Sequence, residues 1–126
     1  MKFWLEWTVK ANPRYVRGGT SLDKGGDCSG ILRSVYFKAG VPVIRSTSYR
    51  MYKGLDGWKS KPVMPPAETG DLCWWTFKKS RPKGHVGAFI DADWFADAGS
   101  KGFVKRMVDS WMGQRIEDVK RLRFGD

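Results

Sequence analysis

Midway along the chain the spacing of the apolar residues changes, and this change restricts the fold more than any other feature. Up to about residue 40 the pattern is helical. Phe3, Trp4, Trp7 and Val9 recur within "FWLEWTVKA" until "NP" at 12–13 stops them, and Ile31, Leu32, Val35, Tyr36 and Ala39 make a second stripe that Gly40 ends. From residue 71 the segments are shorter and rich in aromatic and β-branched residues: "DLCWWTF" (71–77), "HVGAFI" (85–90) and "WFADA" (94–98). "KKSRPKG" and "DAD" are the turns between them. Helices first and strands afterwards define an α+β domain, with N-terminal helices packed on a central antiparallel β-sheet. Residues 41–69 read as loop with one short helix near "STSYRMYKGL", because Pro62, Pro65 and Pro66 break regular structure. Residues 103–111 and 115–123 fit helix or strand equally well.

At 126 residues the chain matches one domain, 1–126, and its 41% hydrophobic content suffices for a core. No apolar run approaches the roughly 18 residues of a membrane span, so stable membrane insertion is not expected. The first residues, with Glu6 among them, lack the apolar core and cleavage site of a secretory signal. Synthesis in a reducing compartment, with Cys28 and Cys73 as free thiols, is the corresponding expectation. The net charge of +10 calls for an anionic partner; nucleic acid, an acidic membrane surface and an anionic bacterial wall all qualify. The basic residues are scattered in small groups, such as Lys78, Lys79, Arg81 and Lys83, so charge alone does not choose among them.

The stretch that carries chemistry is "GGDCSG" at 25–30, leading into the second helical stripe. Asp27 is a good N-cap and places Cys28 in the first helical turn, where unpaired backbone N–H groups and the helix dipole favour a thiolate. The glycines before it let the chain turn tightly and leave the sulfur accessible. His85 is the single histidine, so Cys–His chemistry must use it. A third group follows from register. If 85–90 and 94–98 form a hairpin turning around Asp91, Phe89 faces Asp93, Gly87 faces Phe95 and His85 faces Asp97. Directly opposed side chains share a face, and a carboxylate there can orient the imidazole. Cys28 as nucleophile, His85 as base and Asp97 as orienter then assemble across the domain. Cys73, between Leu72 and Trp74 in a strand, reads as core.

Other chemistries have less support. One histidine and two distant cysteines offer no metal-ligand spacing, so no metal or other cofactor is expected. No phosphate-cradling glycine motif occurs. Glu6, Glu68 and several aspartates exist, but nothing pairs two of them for glycoside hydrolysis.

"RYVRGGTSLDKGGDCSG" resembles the Tyr–x–x–Gly–Gly … Asp–Cys–Ser–Gly signature of the NlpC-type cell-wall peptidases, which are papain-like cysteine enzymes. "AGVPVIRSTSYRMY", "TGDLCWWTF" and "GHVGAFID" are similar to the segments that follow in that family, in order, from about residue 3 to 98. "VKRMVDSW" fits a closing strand. The resemblance implies a papain-like NlpC-type fold and hydrolysis of amide bonds in peptidoglycan stem peptides, commonly the γ-D-glutamyl to diamino-acid link. Cys28 and His85 fall on the catalytic pair. Asp97 falls on the third polar position, which is more often His in the family. Tyr15 matches the tyrosine beside the nucleophile and, with the Cys28 N–H, is the implied oxyanion donor. Asp27 and Ser29 flank the nucleophile and are implied to hold the stem peptide, while Arg45 and Ser46 fit a place along the cleft.

Three functions follow. The first is a monomeric peptidoglycan endopeptidase that needs no nucleic acid and reaches the wall as a phage lysin, a virion-associated hydrolase or an exported effector. The second keeps the same site for an amidase or acyltransferase. The third is a noncatalytic basic and aromatic module that binds wall or nucleic acid.

Overall fold

The computed structural model describes residues 1–123, so the last three positions of the single-domain assignment, 124–126, lie outside the described residues. Helix α1 (Lys2–Ala11) ends at Asn12, which adopts the left-handed conformation, φ 48° and ψ 62°, that asparagine tolerates. The Asn12 side-chain oxygen then accepts from the Phe103 N–H at 3.0 Å, tying the end of the helix to the sheet. A glycine-rich loop follows, with a two-residue ladder of β1 (Thr20–Ser21) and β2 (Gly25–Gly26). It leads into α2 (Cys28–Lys38) and, after an irregular stretch, α3 (Ser48–Tyr52).

The remaining strands are β3 (Ser60–Pro62), β4 (Leu72–Trp75), β5 (His85–Phe89), β6 (Trp94–Gly99), β7 (Gly102–Met107) and β8 (Asp118–Leu122). They form one antiparallel sheet in the order β3-β8-β4-β5-β6-β7, with a 3-10 turn (Gly113–Arg115) before β8. The strands alternate. Leu72, Trp74, Val86, Ala88, Ala96 and Phe103 pack with Leu5, Ile31, Leu32 and Val35 of the helices. Cys73, Trp75, Phe89 and Phe95 form a second cluster with Val108, Met112, Ile116 and Val119. The α+β reading therefore holds, and both ambiguous segments contain strands, β7 and β8.

One expectation fails. Residues 60–62 are a strand and not loop, although Pro62 ends it. β3 lies at the sheet edge and pairs only with β8, where a proline's missing N–H breaks no ladder.

Two tryptophans hold the irregular stretch in place. The Trp58 indole N–H donates to the Ile44 carbonyl and that of Trp74 to the Ser48 carbonyl, each at 3.0 Å, while both rings are fully buried. Each such bond contributes about 1 kcal/mol beyond the burial of the ring. Residues 44–48 are thereby fixed against the sheet beside α2. Among the described residues no helix is long and apolar enough to cross a membrane.

Candidate active site

Asp27 caps α2 as expected, and its carboxylate does more than cap. Oδ1 accepts from the Gly30 N–H at 2.7 Å and from the Ser29 hydroxyl at 3.1 Å. Oδ2 accepts from the Gly18 N–H at 3.2 Å and from Arg45 at 3.0 Å. Arg45 also donates to Ser29 Oγ at 2.9 Å and to the Ser46 carbonyl. The polar atoms of Asp27 and Ser29 thus brace the turn that carries Cys28. Ser46 faces the other way and donates to Asp56 at 2.8 Å. Asp56, gripped by Arg50 at 2.8 Å, has its carboxyl lowered to about 2 by those two hydrogen bonds.

Gly30 explains the last letter of "DCSG". A Cβ there would stand 2.1 Å from the Gly19 carbonyl oxygen, which already accepts from the Asp27 N–H at 3.1 Å. The glycine loop therefore lies directly against the first turn of α2. Tyr15, half exposed, bridges to Gly26 at the same turn. Burial and the charges of Cys28 and Asp27 push its phenol up, against Arg17, so its hydroxyl stays a donor through neutral pH. The Cys28 N–H, at the first helical position, has no intrahelical acceptor.

His85 opens β5, and its Nε2 lies 2.8 Å from Oδ2 of Asp97. The expected contact is present, but by another register. Gly87 pairs with Asp97 and Phe89 with Phe95, so the hairpin turns around Ala92 and not Asp91. The four-residue turn is held by Asp91 Oδ1, which accepts from the Asp93 and Trp94 N–H groups at 2.9 and 3.0 Å. The slip amounts to two residues, and an even slip keeps every side chain on its face. His85 and Asp97 become diagonal neighbours, and Gly87 makes the diagonal passable. A Cβ at 87 would meet Trp75 at 3.1 Å and the Asp97 Cβ at 3.2 Å.

Asp97 is buried, and its second oxygen is held by Arg106 Nε of β7 at 3.0 Å. Sequence reading missed Arg106, because its segment was ambiguous and only a strand assignment puts it on the face of Asp97. The imidazole rests against the rings of Trp75 and Phe77, at 5.2 and 5.3 Å between centroids. Burial opposes its charge, but hydrogen bonds to Asp97 and Cys28 and their negative charges outweigh this and raise it to about 9. Cys28 is thus the second group that acts on His85. With Nε2 on the carboxylate, Nδ1 remains for the thiol. A thiol beside a base that is itself held by a carboxylate can form an ion pair and attack a carbonyl carbon.

A family model described as the NlpC/P60 family matches residues 12–121. The chain belongs to the NlpC/P60 family. Solved structures of this family have the same fold. One, from Staphylococcus aureus and described as similar to a lipoprotein of the NLP/P60 family, shares 25% identity at a TM-score of 0.73, over 94% of this chain and 40% of that one. An NlpC/P60 protein from Bacillus cereus shares 19% identity at a TM-score of 0.71, over 97% and 40% of the two chains. The NlpC/p60 domain of the peptidoglycan hydrolase SagA shares 22% at a TM-score of 0.67, over 97% and 99%. The chain spans two fifths of the first two proteins, but nearly all of the SagA domain. No match to a curated protein was found.

Proposed function

We propose that this chain is a peptidoglycan hydrolase, a cysteine endopeptidase that cuts amide bonds in stem peptides, with Cys28, His85 and Asp97 as its catalytic residues. The observation that carries the reading is His85 set between Cys28, which helps to raise it, and buried Asp97, which holds its Nε2 at 2.8 Å, in a chain of the NlpC/P60 family. The naming of the SagA domain as a peptidoglycan hydrolase supports the substrate.

In this mechanism the Cys28 thiolate attacks the scissile carbonyl carbon, and the developing oxyanion takes the Cys28 N–H and the Tyr15 hydroxyl. The imidazolium gives its Nδ1 proton to the leaving amine as the C–N bond breaks, which leaves a thioacyl-enzyme. Water then attacks that carbonyl while Nδ1 takes its proton, and the C–S bond breaks to release the acid and return the thiolate. Asp97 holds Nε2 throughout, so the ring presents the same nitrogen at both steps. The γ-D-glutamyl to diamino-acid bond is the proposed cut, and the wall, reached by phage delivery, lysis or export, is the proposed place.

Mass spectrometry of muropeptides digested by the wild type and by Cys28→Ala tests this reading. New termini at the γ-glutamyl bond with the wild type alone are expected. Intact stems with both proteins would overturn the endopeptidase, and a cut between sugar and peptide would make it an amidase.

A further inference from the structure

Between the start of α3 and the turn that precedes His85 lies a cavity of about 330 Å³ that the mechanism above leaves unused. One wall is Thr47, Ser48 and Tyr49, at the start of α3. The chain reaches that wall directly from Arg45, whose guanidinium is bound to Asp27 and Ser29 on the two sides of Cys28. The opposite wall includes Ser80, Arg81 and Gly84, in the turn that runs straight into His85. Ser48 Oγ donates to the Lys83 carbonyl oxygen at 2.7 Å and joins the two walls. Along the chain the lining therefore joins both partners of the candidate pair: Gly84 immediately precedes His85, and Thr47 comes two residues after Arg45, which braces the turn of Cys28.

Its charge is unbalanced. The acidic side chains nearby already hold cations: Asp27 has Arg45 at 3.0 Å, Asp56 has Arg50 at 2.8 Å, and Lys83 holds Glu117 at 3.1 Å and Asp118 at 2.6 Å. Arg81 has no such partner among the described residues, and the Ser80 and Tyr49 hydroxyls have no hydrogen-bond partner among them. An arginine and two hydroxyl-bearing residues in one lining suit a planar anion that accepts several hydrogen bonds, which a carboxylate does.

We propose that this cavity is a subsite for a free carboxylate of the stem peptide, received by Arg81 together with Ser80 and Tyr49. The inference rests on the endopeptidase reading and names what that substrate must carry. A glutamyl residue linked through its side chain leaves its α-carboxylate free a few bonds from the scissile carbonyl. The diamino acid on the leaving side offers a second carboxylate at similar reach. Both have the same chemistry, and a change of either to a carboxamide removes the charge and leaves the shape.

The test is calorimetric titration of three synthetic γ-glutamyl stem peptides into the Cys28→Ala protein. One has both carboxylates free, one has the glutamyl α-carboxamide and one has the diamino-acid carboxamide. One of the two amides should bind on the order of tenfold more weakly than the free peptide, the loss expected for one charge-assisted contact, and identifies which carboxylate is read. The Cys28→Ala/Arg81→Gln double variant should bind all three alike, with Arg81→Lys between. Equal binding of the three peptides by Cys28→Ala overturns the subsite, as does discrimination that survives Arg81→Gln. Cleavage of the free peptide by the wild type separates the two readings. Cleavage without discrimination removes the subsite alone, whereas neither cleavage nor binding removes the endopeptidase reading as well.

Discussion

The two cysteines are both buried free thiols, yet their surroundings differ in kind. Cys28 stands at the start of a helix, on a turn braced by Asp27, with His85 as its neighbour. Cys73 lies inside β4, on the same face as Trp75 and paired across the ladder with Gly87. Burial pushes its thiol far up, and the charge of Asp97 pushes it further. Asp97 thus helps keep His85 charged and Cys73 neutral. In the proposed mechanism reactivity follows from whether a base stands beside the sulfur and not from burial, which the two thiols share.

The largest expected effect breaks this contrast at Cys28. Cys28→Ala should lower stem-peptide hydrolysis by roughly 10⁴-fold or more, because the covalent route disappears. Circular dichroism and melting temperature should stay near the wild type. Alkylation with iodoacetamide reports the same contrast without substrate. One thiol should react in the native protein and two after denaturation, with peptide mapping assigning the first to Cys28. Native labelling of Cys73 would show that the sheet does not seal it.

Next in size is Asp97→Asn, which removes the charge that acts on both sites. The amide still fills the space, but it cannot stabilise the imidazolium, and a loss of about 10²- to 10⁴-fold in kcat is expected. The pH profile carries the sign. His85 is raised to about 9, so in the wild type the active imidazolium persists until pH rises through about 9. In Asp97→Asn the alkaline limb of kcat/KM should move down towards the ordinary histidine value of about 6.5. Stability follows the same linkage. The contribution of a raised histidine is complete below about 6.5 and lost as pH climbs to about 9, on the order of 3 kcal/mol in all. The stability gap between wild type and variant, from urea titrations, should therefore narrow between pH 6.5 and 9, leaving the part that Arg106 contributes. A gap unchanged across that range would mean that the carboxylate does not hold the imidazolium.

Part of this arrangement is legible from sequence because it obeys local rules. Asp27 caps, Cys28 follows, and the stripe from Ile31 to Tyr36 fixes the buried face of α2. The His85–Asp97 pairing survives a wrong register because face depends only on parity, and the slip was even. What stayed hidden depends on distant partners. Whether Pro62 belongs to a strand is decided by β8, almost sixty residues on, and Asp91 bends the turn through side-chain bonds that lengthen it. Arg106 has no signal of its own, since only the β6–β7 ladder brings it to Asp97.

Arg106 is therefore the next place to sharpen the comparison, as a positioning residue that holds the carboxylate from behind. Arg106→Gln should cost about tenfold in kcat with little change in KM, since it frees Asp97 to rotate away from Nε2. Arg106→Lys should recover part of the loss by returning the charge without the fork. Equal loss in both variants, with an unmoved pH profile, would make its role one of packing alone.

The smallest effect lies at Cys73. Cys73→Ala removes one sulfur from a sealed site and no group of the candidate mechanism, so kcat/KM should stay within about twofold. Its cost should appear as stability, about 1 to 2 kcal/mol for the cavity left beside Trp75, read from the midpoint of urea unfolding. Cys73→Ser would cost more, because a hydroxyl there replaces an apolar thiol and must find a partner in a closed ladder. The order wild type, Ala, Ser in stability, with activity level across the three, is what a purely structural cysteine requires. A fall in activity that tracks Asp97→Asn in its pH dependence would instead place Cys73 in the same electrostatic unit as His85, and the difference between the two thiols would be one of degree.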